Sequence, residues 1–115
     1  MNILVRLWRF LTGWWRRKPT LITAHYVNEL PATLEPGKLY VEGEGSHSWS
    51  VALLCPCGCD HALQMNMLAD AYPRWQLTVH EDATATLYPS VWRQIGCGSH
   101  FFLRRGRIEW CSGAR

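Results

Sequence analysis

Three cysteines within five residues, Cys55-Pro56-Cys57-Gly58-Cys59, constrain this chain more than any other feature, together with the distant Cys97-Gly98-Ser99-His100. Proline fixes its own backbone angle and glycine permits left-handed ones, so the pair folds the chain into a tight knuckle with its sulfurs turned inward. Thiolates suit Zn²⁺, and a tetrahedral site asks for four ligands. The knuckle offers two or three of them; Cys97 and His100 supply the rest. Disulfides compete poorly, because a Cys-x-Cys bridge is strained and five cysteines leave one unpaired. Buried inert thiols are the remaining alternative. Cys111, beside Trp110, reads as a core residue rather than a ligand.

At 115 residues the chain makes one domain, large enough to fold and small enough to gain from a metal staple. Seven tryptophans imply either a core built from large rings or an apolar surface kept for a partner. The formal charge of +3 divides unevenly. Five of the twelve Lys and Arg, namely Arg6, Arg9, Arg16, Arg17 and Lys18, fall in residues 1–18 with no acid, leaving seven against all nine Asp and Glu. The body is therefore slightly acidic, which argues against nucleic acid as a partner.

In residues 2–17 the apolar side chains Ile3, Leu4, Leu7, Trp8, Leu11, Trp14 and Trp15 recur at helical spacing, with Arg6, Arg9 and Arg16 opposite them. The chain thus divides into a basic amphipathic helix over 1–18 and a zinc-binding β domain over 19–115. That helix can pack on its own domain, dock on a partner protein, or lie on an anionic membrane surface through residues 2–18. It is too short and too interrupted by arginine to span a bilayer or serve as a secretory signal. The expected location is the cytoplasm, peripheral to the membrane if the third use holds, and thiol-rich metal sites fit that reducing compartment.

After Pro19 the pattern changes to short runs rich in valine, leucine, threonine and aromatics. Strands are expected over 21–27, 38–42, 48–54, 62–67, 74–79, 84–88, 100–104 and 107–111, separated by Glu35-Pro36-Gly37, Gly43-Glu44-Gly45, the cysteine knuckle and Arg105-Gly106. The fold class is mainly β: a small antiparallel sheet, sandwich or partial barrel. A metal joining the knuckle to Cys97 would close a loop of about forty residues, and long closures constrain the unfolded chain most.

The knuckle, Pro73-Arg74-Trp75, Thr86-Leu87-Tyr88-Pro89-Ser90-Val91, Cys97-Gly98-Ser99-His100-Phe101 and Gly106-Arg107-Ile108-Glu109-Trp110 resemble, in this order, one family over residues 36–111. It is a bacterial family of small proteins long classed as a domain of unknown function, often encoded beside ubiquitin-like proteins and their E1-like and E2-like conjugating enzymes. The resemblance implies a component of a ubiquitin-like pathway, acting as the peptidase that matures or removes the modifier. Partners implied are the modifier itself and the E1- and E2-like enzymes.

A peptidase needs a nucleophile or activated water, a proton carrier and donors for the oxyanion. In one arrangement zinc is held by cysteines and His100 and is structural. In a second, Cys55, Cys57, Cys59 and Cys97 hold the metal and His100 is free as general base for Ser90 or Ser99. On an extended strand Ser99 and His100 point to opposite faces, which favours Ser90 as the partner and leaves Ser99 to bond a sulfur or the substrate. A third arrangement uses zinc-activated water with Glu81, Asp82 or Glu109 as base, and ranks lower because an all-thiolate site blunts Lewis acidity. His61 can join either ligand set. Plainer roles compete: a turn cap for Ser90, and core positions for at least two of Trp75, Trp92 and Trp110, which could otherwise wall a groove. His25, His47 and His80 read as surface or satisfied core residues, and a non-catalytic adaptor recruiting conjugation enzymes or targets is the alternative to a peptidase.

Overall fold

The computed structural model describes residues 21–111. The helix expected over 2–17, its membrane contact and the boundary at residue 18 lie outside the described residues. Within them are eight strands and no helix. Four strands, β1 (Thr23–Val27), β2 (Lys38–Glu44), β3 (His47–Leu54) and β4 (Ala62–Asn66), form one sheet in that order. The others, β5 (Gln76–Val79), β6 (Ala85–Trp92), β7 (His100–Arg104) and β8 (Arg107–Trp110), form a second sheet, again in sequence order. Every pairing is antiparallel except β1 with β2, which run parallel. The parallel pair departs from the all-antiparallel arrangement expected, because the connection over residues 28–37 is long enough to return the chain to its starting end.

Alternation along the strands builds the core. Leu39 and Val41, Val51 and Leu53, and Leu63 and Met65 face Ala85, Leu87, Val91, Phe101 and Leu103 of the other sheet. Side chains of an extended strand alternate between its faces, so each strand contributes every second residue. The opposite face of the first sheet is covered as well: Tyr40 and Ala52 pack under Leu34 of the 28–37 connection. That second cover explains why β2 shows three consecutive buried residues, Leu39 to Val41, rather than alternation.

The sheets are stitched by backbone hydrogen bonds. Ile22 N donates to Gly106 O at 2.8 Å, Ala85 N to Ile22 O at 3.3 Å, and Ala24 N to Ala83 O at 2.9 Å. Gly106 has φ +79°, and a Cβ there would stand 2.9 Å from the Ile22 carbonyl oxygen, so this crossing needs glycine. The strand expected to end at Tyr88 continues through Pro89 to Trp92. Proline cannot donate to a ladder, and here the ladder slips: Leu87 faces Leu103 while Val91 faces Phe101, four steps on β6 against two on β7. The two extra residues make a bulge around Pro89 and Ser90 without turning Val91 out of the core.

Candidate active site and metal centre

The knuckle joins β3 to β4. Gly58 N donates to Cys55 O at 3.2 Å, Cys55 N donates to His61 O at 2.8 Å, and Gly58 takes φ +92°. Proline second and glycine fourth in this turn suit its geometry. Cys97 arrives from the β6–β7 connection. The four Sγ atoms of Cys55, Cys57, Cys59 and Cys97 lie within 4.8 Å of one another, with Cys55 at 3.4 Å from Cys57 and 3.5 Å from Cys97. A tetrahedral ion with sulfur arms of about 2.3 Å separates its ligands by about 3.8 Å, so the four donors fit one metal ion. Neither His61 nor His100 belongs to this group, nor do Glu81, Asp82, Glu109 or Cys111.

The thiols differ in their electrostatics. Burial pushes the Cys55 thiol up to about 12. The Ser99 hydroxyl, reinforced by the Ser99 backbone N–H, pulls Cys97 down to about 5. Ser99 also lowers Cys57. Ser99 itself is fully buried, with Oγ 3.3 Å from Cys55 Sγ and 3.1 Å from Cys97 Sγ. One consistent chain therefore runs from the Cys55 S–H to Ser99 Oγ and from the Ser99 hydroxyl to the Cys97 thiolate. Arg93 adds a cation: Nη1 lies 3.5 Å from Cys59 Sγ and 3.9 Å from Cys97 Sγ. Its only trace in the sequence is an arginine four residues before Cys97, a spacing that does not by itself point to a sulfur partner.

On the other side of the same two strands the polar residues gather. Phe101 and Leu103 point into the core, which turns His100 outward; Val91 points in, which turns Ser90 and Trp92 outward. Ser90 Oγ lies 2.9 Å from His100 Nε2. Trp92 stands opposite His100 in the ladder, and their rings stack with centroids 4.9 Å apart at 17°. Trp75 Nε1 donates to Ser90 O at 3.3 Å and holds the bulge from the side of β5. Glu109 pairs with Arg104, and Asp82 accepts from Thr84, whose hydroxyl and N–H hold its carboxyl below the usual carboxylate range. Among the described residues no carboxylate bonds the His100 ring.

Of the residues picked out in the sequence, the structure thus brings together four cysteines in one place and Ser90 with His100 in another, with Ser99 on the sulfur side. The tryptophans correct the expectation that at least two would be core. Trp75 packs against the core, but Trp92 is 57% exposed and Trp110 44% exposed. Aromatic type alone does not distinguish a core ring from a surface one. His25 and His80 are satisfied by Thr23 and Thr86. A groove of about 490 Å³ is lined by Tyr72, Arg74, Gln76, Tyr88 and Pro89, the residue before Ser90.

Comparison with known proteins gives one family. The model for the bacterial ubiquitination-like system serine protease family (BubE) matches residues 26–111. No curated protein and no solved structure matches the chain.

Proposed function

This chain belongs to the bacterial ubiquitination-like system serine protease family, and from that premise we propose that it cleaves an acyl bond at the C-terminal tail of a ubiquitin-like modifier. Ser90 is the nucleophile and His100 the general base. The observation that carries this assignment is the 2.9 Å contact between Ser90 Oγ and His100 Nε2 on the face of β6 and β7 turned away from the core. At that distance Nε2 takes the hydroxyl proton as Oγ attacks the scissile carbonyl, then returns it to the leaving amine. Water repeats the cycle on the acyl-enzyme and frees the modifier's terminus. The groove that includes Pro89, the residue before the nucleophile, is the surface assigned to an extended tail.

Cys55, Cys57, Cys59 and Cys97 are proposed to hold Zn²⁺ as a closed structural centre, with Ser99 and Arg93 as donors to the sulfurs. Four thiolates leave no open coordination position, so zinc would supply rigidity rather than an activated water. The paired residues at the end of β6 and the start of β7 face both ways: Arg93 N donates to Ser99 O at 2.7 Å, next to the Trp92–His100 pair. A metal that fixes Cys97 therefore also fixes the approach of His100 to Ser90. A cytoplasmic setting, in which the five free thiols stay reduced, is part of the same proposal.

The test uses the full chain and a ubiquitin-like modifier of a bacterial ubiquitination-like system, extended by several residues past its natural terminus. The native chain should release the extension, and Ser90→Ala and His100→Ala should each lower the rate by at least about a thousandfold. Tight binding of the modifier with no cleavage by any form would replace the peptidase with an adaptor.

A further inference from the structure

A serine–histidine pair normally depends on a third group, most often a carboxylate, that fixes the imidazole and offsets its positive charge in the transition state. Among the described residues His100 has no such partner. It has Trp92. The two residues sit directly opposite each other in the β6–β7 ladder, and their rings lie nearly parallel, 17° apart, with centroids at 4.9 Å. That separation and tilt fall in the range of an offset stack. The bulge at residues 88–90 sets this geometry, because it returns Trp92 to the His100 face after the four-against-two slip.

The exposure of Trp92 is the second observation. A tryptophan gains most by burying both faces of its ring, yet this one remains 57% exposed and covers a histidine that already bonds a serine. Core packing does not explain a large ring in that position. An aromatic face does attract a cation held over it, and the imidazole becomes one when it takes the serine proton.

Taking Ser90 and His100 as nucleophile and base, we propose that Trp92 is the positioning residue of the pair, acting from the face of the imidazole rather than at the in-plane Nδ1 position an acidic third member would take. Its indole face holds the imidazole plane so that Nε2 stays aimed at Ser90 Oγ. The same face stabilises the imidazolium that exists between proton uptake and proton return. Trp92 exchanges no proton and forms no bond; the proton passes from Ser90 Oγ to His100 Nε2 and on to the leaving group. Because the stabilisation arises only when the ring is charged, it belongs to the maximal rate and not to binding.

The experiment measures reaction of the intact, metal-loaded chain with a fluorophosphonate probe, which needs an activated serine but no knowledge of the natural substrate. Native protein, Trp92→Leu, Trp92→Phe and Ser90→Ala are compared, with metal content and thermal midpoint recorded for each. Trp92→Leu keeps apolar bulk and loses the π face, and its limiting labelling rate should fall by about tenfold with the half-saturating probe concentration unchanged. Trp92→Phe restores a flat ring and should stay within about threefold of native. An unchanged limiting rate in Trp92→Leu, or an effect confined to half-saturation, overturns the positioning role and leaves the dyad standing. Labelling of Ser90→Ala at the native rate would instead remove the dyad itself.

Discussion

The cysteines of the cluster are not equivalent, and the difference decides how a metal would bind. Cys97, with the Ser99 hydroxyl donating to it, is held down to about 5 and is a thiolate at neutral pH. Cys55, fully enclosed by the core, is pushed up to about 12 and keeps its proton. A metal must displace that proton, so binding releases H⁺ and the affinity rises with pH. Competition against a chelator should therefore show tighter zinc binding at pH 8 than at pH 6.5, and a pH-independent affinity would mean that the sulfurs are already deprotonated. Spacing made a thiol cluster legible in the sequence, but not that all three knuckle sulfurs join Cys97, since a single turn can aim either two or three of them inward. Their unequal character was not legible, because it depends on the burial of Cys55 and on the buried Ser99 hydroxyl, both of which arise only once β7 packs against the knuckle.

Strands carry the same division of labour at the next scale. β7 reads His-Phe-Phe-Leu-Arg, with Phe101 and Leu103 inward and His100 outward. Phe101 is fully buried and meets Trp110 edge-on at 5.7 Å. Truncating it to alanine should cost about 3–5 kcal/mol of unfolding free energy by denaturant titration of metal-loaded protein. Tyr88→Ala, on the exposed side of β6 where the ring is 66% exposed, should change it by no more than about 0.5 kcal/mol. Equal effects of the two substitutions would contradict the assignment of strand faces. Period-two alternation placed His100 opposite to Ser99 from sequence alone. The continuation of β6 past Pro89 did not emerge that way, because a proline ordinarily ends a strand and only the register slip against β7 accommodates it. That slip turned Ser90 from an expected strand-end turn into a bulge residue facing His100.

Over residues 21–111 taken together, two sheets enclose one core, and the β6–β7 ladder separates two chemistries: sulfurs on one side, the serine and histidine on the other. Short alternating strands and regular turn signals were enough to anticipate a small β fold with a thiol knuckle. The parallel β1–β2 pair and the sheet partition were not, since both rest on contacts distant in sequence, such as Gly106 bonding Ile22 and Ala85. If His100 activates Ser90, peptide mapping by mass spectrometry after fluorophosphonate treatment will locate the reaction. The adduct should sit on Ser90 in the native chain and be absent when His100 is changed to alanine at unchanged metal content. An adduct on any other serine, or on Ser90 irrespective of His100, would contradict that activation.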